Sequence, residues 1–245
     1  MEFSMQIAGH VARIHSLFES TPAYFHAYLT DEAPEFTFRV TREDVDFERQ
    51  MHLQEALEEG FRVRNFPDTF LERASIQRKF AEQLLDRDVL LLHGSTIAAD
   101  GNAYLFTAKS GTGKSTHTRL WRQLLGDRAV MVNDDKPFLK FTPQGILACG
   151  SPWSGKHGLD SNICVPLKGI CILERGAENI ISPMVPEQAM DMLLHQSQAP
   201  LDTTRQATYL RLVNALAQRI PLWHMECNKD ISAAQVAFQA MSANL

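Results

Sequence analysis

The stretch that decides the fold runs from residue 103 to residue 115, Ala-Tyr-Leu-Phe-Thr-Ala-Lys-Ser-Gly-Thr-Gly-Lys-Ser. Residues 103–108 are mostly apolar and predict a buried strand. A glycine-rich turn follows, and Gly113-Lys114-Ser115 opens a predicted helix over 116–125. A phosphate-binding P-loop occurs in this order of strand, loop and helix. Its glycines let several N–H groups face one anion, and the helix dipole adds to the attraction.

The residue types in this loop predict its contacts with a nucleotide. The Lys114 ammonium is predicted to reach the β- and γ-phosphates, and the Ser115 hydroxyl to bind Mg²⁺. The usual pattern is G-x-x-x-x-G-K-[ST], but the first position is Ala108. Alanine lacks the freedom of glycine at positive φ, so we expect a slightly different entry to the loop. The predicted phosphate contacts are Ser110, Gly111, Thr112, Gly113, Lys114, Ser115 and Thr116.

Composition restricts the class of protein. The 245 residues are 44% hydrophobic and 22% charged, which is ordinary for a globular protein with a real core. A net charge of −5 and a pI near 6.0 argue against nucleic acid as the main partner. No segment has the length of a transmembrane helix, and the N-terminus lacks the features of a signal peptide, so we expect no membrane partner. A homo-oligomer stays open.

The four cysteines have no C-x-x-C spacing and lie in apolar runs, where cysteine behaves as a small hydrophobe. We therefore predict no disulfide, no zinc site and a cytoplasmic, reducing location. The cysteines are Cys149, Cys164, Cys171 and Cys227.

Hydrophobic periodicity predicts an α/β protein with two parts. Residues 1–87 are predicted to form a small β-rich unit with one helix, and residues 88–245 a larger domain that contains the P-loop. A two-residue hairpin at Asp100-Gly101 feeds the P-loop strand. The predicted strands are 5–16, 34–42, 61–64, 89–93, 96–99, 103–108, 129–132, 138–141, 145–149, 165–174 and 221–226, with a short strand and loop over 44–59. The predicted helices are 68–85, 116–125, 187–197, 203–219 and 232–242.

Two adjacent carboxylates, Asp134 and Asp135, end a short buried strand soon after the P-loop helix. A carboxylate that binds Mg²⁺ belongs at this position, and the second can take a proton from an attacking hydroxyl. Their mutual repulsion favours a raised pKa for one of them, although a metal would oppose the shift. The sequence does not order the two roles. His93 ends the strand before the hairpin and is predicted to lie near the phosphates.

The chain resembles the catalytic domains of HPr kinase/phosphorylases in the order and type of its features. These features are His93-Gly94, the hairpin, the Ser110–Ser115 segment and the strand-terminal aspartates. The Ser-Gly-Thr-Gly-Lys core also resembles ATP-dependent phosphoenolpyruvate carboxykinases, which share that fold. The resemblance covers about residues 88–175. It implies that residues 88–245 are a catalytic domain with a mixed β-sheet core and flanking helices. It also implies ATP, Mg²⁺ and a strand-terminal aspartate acting on the nucleophile, with His93 at the reacting phosphate. The N-terminal part does not match, the glycine-rich signature after the aspartates is missing, and the chain is too short for a carboxykinase lobe.

The segment 150–158 takes the place of that signature. Its glycines predict mobility, and Trp153, Lys156 and His157 are candidates for a loop that covers the substrate. A packed surface turn is the equally weighted alternative. His117, in the first turn of the P-loop helix, is expected to face solvent rather than nucleotide. Arg119 and Arg122 are expected to be surface charges of the same helix.

The leading hypothesis is an ATP-dependent kinase that transfers the γ-phosphoryl group to a hydroxyl. The acceptor is a serine of a small protein or peptide, or a small hydroxylated metabolite. In this hypothesis Lys114 and His93 act at the phosphates, Ser115 and Asp134 hold Mg²⁺, and Asp135 is the base. One alternative is an ATP-binding switch or assembly module with slow hydrolysis. A carboxykinase-like decarboxylation is less favoured because the substrate lobe is missing.

Overall fold

The computed structural model describes residues 1–58, 60 and 62–243. The chain divides into two compact units, Met1–Gln83 and Leu84–Leu245. The sequence analysis predicted two domains with the bounds 1–87 and 88–245. No helix among the described residues combines the length and apolarity needed to cross a membrane.

The N-terminal unit contains a three-stranded sheet. Strands β1 (Glu2–Ile7) and β2 (His10–His15) are antiparallel, and β3 (Phe36–Arg39) runs parallel to β2. The single strand predicted over 5–16 is wrong, because a tight turn at 8–9, where φ is positive, folds it into the β1–β2 hairpin. The helices among its described residues are α1 (Thr21–Tyr24), α2 (Arg42–Glu58) and α3 (Asp68–Leu85), with a 3₁₀ turn at His26–Tyr28.

Helix α2 occupies the segment predicted as a short strand and loop over 44–59, so that prediction is wrong for its described residues. The helix has almost no apolar face, since only Val45 and Glu48 are buried. Glu48 is held by an ion pair with Arg78 of α3 at 2.6 Å. Because this contact is between charged residues, the sequence of α2 does not show the hydrophobic period by which a helix is predicted. Residues 62–64 carry no strand, contrary to prediction, while residues 59 and 61 lie outside the described residues.

The C-terminal unit is built on a nine-stranded mixed sheet in which most neighbours are distant in sequence. The order is β4-β8-β9-β10-β6-β5-β7, and β12 pairs with β10 and with β11. The strands are β4 (Val89–Leu91), β5 (Ser95–Ala99), β6 (Asn102–Thr107), β7 (Ala129–Asn133), β8 (Phe138–Thr142), β9 (Gly145–Cys149), β10 (Cys164–Arg175), β11 (Ile180–Met184) and β12 (Leu222–Cys227). The helices are α4 (Lys114–Leu125), α5 (Pro186–Gln196), α6 (Gln206–Arg219) and α7 (Ile231–Ser242), with short 3₁₀ turns at Gly126–Arg128, Gly155–His157 and Thr203–Arg205.

Helices cover both faces of this sheet, which explains the continuous apolar run of β6. Ala103 and Leu105 point into a core shared with α5 and α6. Tyr104 and Phe106 point into a second core, where Trp121 of α4 and the alanines of α7 pack. Strand β6 is therefore buried on both sides and carries the loop that follows it on a rigid support.

The hairpin between β5 and β6 has the predicted two-residue turn. Ala99 pairs with Asn102, and Asp100 and Gly101 both have positive φ, the conformation that matches the twist of antiparallel strands. Arg128 binds the Asp100 carboxylate at the tip. The predicted β8–β9 hairpin also forms. Strand β11, between β10 and α5, was not predicted because its residues are mostly exposed and its sequence lacks alternation.

The prediction of no disulfide is wrong for two cysteines. Cys149 ends β9 and Cys164 begins β10, and the antiparallel register places them directly opposite each other with their Cα atoms 4.1 Å apart. They form a disulfide that closes the segment between the two strands. Cys171 and Cys227 are free thiols, and burial raises the pKa of both. Because disulfides are rare in reducing compartments, the cysteines no longer support the cytoplasmic prediction.

Candidate functional site

The predicted site residues meet at one edge of the C-terminal sheet. Strands β6 and β7 are each antiparallel to β5, so their carboxyl ends lie at the same edge as the amino end of β5. This edge carries the glycine loop (residues 108–113) after β6, the aspartates after β7 and His93 before β5. Strands β10 and β12 run parallel to β6 and end there too. Ligands of open α/β sheets bind at such an edge.

The glycine loop presents an open concave surface at the start of α4. Gly111 has φ +74° and Gly113, the residue before the helix, has φ +131°. Apart from each glycine's own chain neighbours, no atom of the described residues lies within 4 Å of the position that a Cβ would occupy at either glycine. Helix α4 begins at Lys114, two residues earlier than predicted. Free N–H groups at a helix start and an open glycine loop form an arrangement that can hold an anion.

Two cationic side chains contact this loop. The Lys114 ammonium donates to the carbonyl of Ala108 at 3.1 Å, so its charge lies across the loop entrance. Arg175, at the end of β10, donates to the carbonyls of Gly111 and Thr112. Sequence reasoning missed Arg175, since it lies more than sixty positions from the loop and belongs to no motif. The conformation of the loop is therefore stabilised by Arg175 of β10, the strand that pairs with β6.

Asp134 is buried and is held by hydroxyl groups. The Ser95 hydroxyl donates to its Oδ1 at 2.5 Å and lies 2.8 Å from the Thr118 hydroxyl of α4. Ser115 also hydrogen bonds to this carboxylate. Burial raises the pKa of Asp134, against the opposing effect of the Ser95 and Ser115 hydrogen bonds, and the charge of Asp135 contributes less. Ser95 and Thr118 were not predicted, since a buried hydroxyl leaves no sequence pattern.

Asp135 has a different environment from its neighbour. Its Oδ1 lies 3.1 Å from Nε2 of His93. Burial pushes the pKa of Asp135 upward, but the His93 hydrogen bond and the charges of Lys136 and Lys114 outweigh it, so the pKa lies below its usual value. Burial lowers the pKa of His93 despite the hydrogen bond to Asp135. At neutral pH the imidazole is therefore neutral and donates from Nε2 to an ionised carboxylate.

Asn133 fixes the turn that carries both aspartates. Its side-chain oxygen accepts from the backbone N–H of Asp135 at 2.8 Å and of Lys136 at 2.6 Å. Its amide nitrogen donates to the carbonyl of Ser151 at 2.8 Å. The side chain is fully buried. Sequence reasoning did not single out Asn133, although it joins the carboxylate turn to the segment 150–158.

The segment 150–158 is partly packed and partly exposed. At Gly150 two segments of the backbone approach so closely that a Cβ would lie 1.9 Å from the carbonyl oxygen of Ser161, so only glycine fits. Trp153 is 7% exposed and packs toward Phe138, with ring centroids 6.4 Å apart, so it does not cover a substrate in this conformation. Lys156 and His157 are exposed on the short turn whose Gly155 lies beside Asp135. This turn brings positive charge to the carboxylates.

His117 is buried, contrary to the expectation that it faces solvent. The residue is 2% exposed, its ring packs on Phe106 with centroids 4.5 Å apart, and its Nε2 accepts from the indole N–H of Trp121 at 3.1 Å. Burial lowers the pKa of His117 to about 4. Arg119 and Arg122 are exposed on α4, as predicted.

The donor set is compatible with a magnesium ion that arrives with a phosphate ligand. Asp134 and Ser115 supply hard oxygen atoms next to the open glycine loop. Mg²⁺ is commonly held by one or two protein oxygens together with phosphate oxygens and water. Within the described residues, no group of three or more His, Cys, Asp or Glu side chains could hold a metal alone.

These features define the C-terminal unit as an α/β protein with a glycine loop, its lysine and a pair of carboxylates at one sheet edge. The family model of SynChlorMet cassette protein ScmC matches residues 70–230, and the chain belongs to this family. The comparison with curated proteins gave no match.

Among solved structures, the Hpr(Ser) kinase/phosphatase from Coxiella burnetii is similar to this chain at 11% identity. The match covers 62% of this chain and 99% of that chain, with a TM-score of 0.36. A TM-score this low does not establish a shared fold. The resemblance to HPr kinases therefore remains a prediction drawn from the motifs.

Proposed function

We propose that the C-terminal unit is an ATP-dependent phosphotransferase that uses Mg²⁺ and transfers the γ-phosphoryl group to a hydroxyl. The observation that supports this most is the different setting of the two adjacent aspartates beside the glycine loop. Asp134 faces the Ser115 hydroxyl, whereas Asp135 faces His93. A protein that only binds nucleotide needs one carboxylate for the metal, and the second, oriented carboxylate suits a proton transfer.

In this proposal the glycine loop and α4 bind the phosphates of ATP. The N–H groups of residues 111–115 donate to phosphate oxygens, and Lys114 exchanges its contact with the Ala108 carbonyl for the β- and γ-phosphates. Arg175 keeps the loop in shape through the carbonyls of Gly111 and Thr112. Positioning of this kind supplies much of the catalysis in phosphoryl transfer.

Ser115 and Asp134 are the residues that would hold Mg²⁺, which when bound neutralises charge on the phosphate oxygens. Ser95 orients the Asp134 carboxylate by donating to its Oδ1, and the Thr118 hydroxyl in turn contacts Ser95. The hydroxyl network thus plays the supporting part that outer hydrogen bonds play around metal ligands.

Asp135 is the proposed base. Its ionised carboxylate takes the proton of the acceptor hydroxyl as that oxygen bonds to the γ-phosphorus, and the bond to the β-phosphate oxygen breaks to release ADP. His93 orients Asp135 through the 3.1 Å contact. Lys156 and His157 are exposed on the turn whose Gly155 lies beside Asp135, where they would meet negative charge on the transferring group or on the acceptor. A serine of a protein or peptide and a small hydroxylated metabolite both stay open as acceptors.

The test is ³¹P NMR of the purified full chain with ATP and Mg²⁺, alone and with cell extract separated into small-molecule and macromolecular fractions. A new phosphomonoester peak in one fraction supports the proposal and gives the class of acceptor. Asp135→Asn keeps the size and the contact with His93, so it should bind ATP but lose transfer by about 10²–10⁴-fold. Asp191→Asn is the matched control, because Asp191 forms an exposed pair with His195 far along the chain on α5.

If every fraction gives only slow release of ADP and phosphate, at a rate that Asp135→Asn does not change, the phosphotransferase proposal is overturned. The nucleotide-binding switch would then be the better description.

A further inference from the structure

A cavity of ≈ 370 Å³ adjoins the glycine loop on the side away from the aspartates. It lies between the first turn of α4 and the carboxyl ends of β10 and β12. Small-molecule sites in proteins have volumes of roughly 300–1,000 Å³, so the cavity has the size of a ligand site. Its walls include Thr112, Gly113, His117, Leu173, Arg175 and Cys227.

The order of the strands sets the direction of a nucleotide bound at the glycine loop. Strand β6, which leads into the loop, has β5 and β7 on one side and β10 and β12 on the other. His93 and the aspartates occupy the β5–β7 side, whereas the cavity occupies the β10–β12 side. A nucleotide whose terminal phosphate faces Asp135 therefore extends its other end toward the cavity.

His117 gives the cavity a buried polar group. Because its Nε2 accepts from the indole N–H of Trp121, the neutral ring carries its proton on Nδ1. This Nδ1 is buried and has no hydrogen-bond partner among the residues that the structure describes. A buried donor left without a partner is unfavourable, and His117 lines the cavity, so a ligand acceptor that reaches Nδ1 is stabilised.

The remaining walls suit a flat aromatic ring. Leu173 is buried and Cys227 is partly buried, so they offer apolar surface. Arg175 is anchored to the carbonyls of the glycine loop, which fixes its planar guanidinium at the rim. A guanidinium held in this way can stack on an aromatic ring.

We propose that this cavity binds the nucleobase of the nucleoside triphosphate, with a ring nitrogen or carbonyl oxygen accepting from Nδ1 of His117. The inference rests on the proposed function, because it places the base relative to phosphates bound by the glycine loop. The nucleotide then lies across the carboxyl end of β6, with its base on the β10–β12 side and its γ-phosphate at Asp135.

The experiment measures binding of Mg-ATP and of magnesium tripolyphosphate by calorimetry with the full chain. Tripolyphosphate carries the phosphates without the base. Wild type should bind ATP at least about tenfold more tightly than tripolyphosphate. Cys227→Phe fills the cavity, so it should weaken ATP binding to the tripolyphosphate level and leave tripolyphosphate binding unchanged. Cys227→Ser, which keeps the size of the side chain, is the matched control and should behave as wild type.

A second measurement needs no filled cavity. In ¹H–¹⁵N spectra of the imidazole nitrogens, ATP should shift Nδ1 of His117 and tripolyphosphate should not, with the signal assigned through His117→Gln. If Cys227→Phe binds ATP as wild type does and Nδ1 does not respond to ATP, the cavity is not the base site, although tripolyphosphate binding keeps the phosphate site intact. If neither compound binds wild type, the proposed function fails together with this inference.

Discussion

Asn133→Ala tests whether one buried amide holds the carboxylate turn in place. The substitution removes the acceptor for two backbone N–H groups, at 2.8 and 2.6 Å, and the donor to the Ser151 carbonyl at 2.8 Å. The side chain is fully buried, so water cannot easily replace these three contacts. At about 0.5–1.5 kcal/mol for each hydrogen bond, we expect a loss of about 1.5–4.5 kcal/mol in the free energy of unfolding.

Urea unfolding followed by tryptophan fluorescence measures this loss in the relevant unit. All three tryptophans, Trp121, Trp153 and Trp223, belong to the unit Leu84–Leu245, so the signal reports on that unit alone. Asn102→Ala is the control, because Asn102 makes one 3.3 Å contact in an exposed hairpin turn and should change stability by less than about 0.5 kcal/mol. If Asn133→Ala is as stable as this control, the amide does not anchor the turn.

Two further predictions concern covalent structure and pH. Under denaturing conditions without reductant, thiol titration should find two free cysteines, and four after reduction. Reduction should lower the stability of the C-terminal unit by about 3 kcal/mol, the value expected for a 15-residue closed segment. Cys164→Ser should not respond to reductant, and four thiols without reductant would contradict the pairing. Burial pushes the pKa of Asp44 upward, but hydrogen bonds from Lys79 and Thr41 outweigh it and hold the pKa below 3.8. The folded carboxyl thus binds its proton less tightly than the unfolded one. Its stabilisation is complete above the unfolded pKa and is lost as pH falls through the folded pKa. Asp44→Asn should therefore be less stable than wild type at pH 7, and the difference, measured by circular dichroism in urea, should shrink below about pH 4. A difference independent of pH would contradict this.

The part of the fold that the sequence determined is the part whose interactions are local. The β5–β6 hairpin follows from Asp100-Gly101, and α4 follows from the glycines before it. Strand β6 is apolar from Ala103 to Phe106 because helices cover both of its faces. In each case the decisive residues are close together in the chain, so their pattern survives in the sequence.

Helix α2 shows where such patterns fail. It is fixed against α3 by the ion pairs of Arg78 rather than by an apolar stripe, so its segment has no helical hydrophobic period. Tertiary contacts between charged residues stabilise it in place, among them the one between Glu48 and Arg78, thirty positions apart.

In the candidate site, the sequence determined which residue types gather and at which strand ends, and it placed Lys114, Ser115, His93 and the two aspartates together in order. Only the tertiary structure decided which aspartate faces Ser115 and which faces His93, that Arg175 braces the loop, and that Cys149 meets Cys164. The physical reason is register. Side chains from β5, β7, β9 and β10 contact each other according to how the strands align, and that alignment is fixed by the packing of the whole sheet rather than by any local stretch.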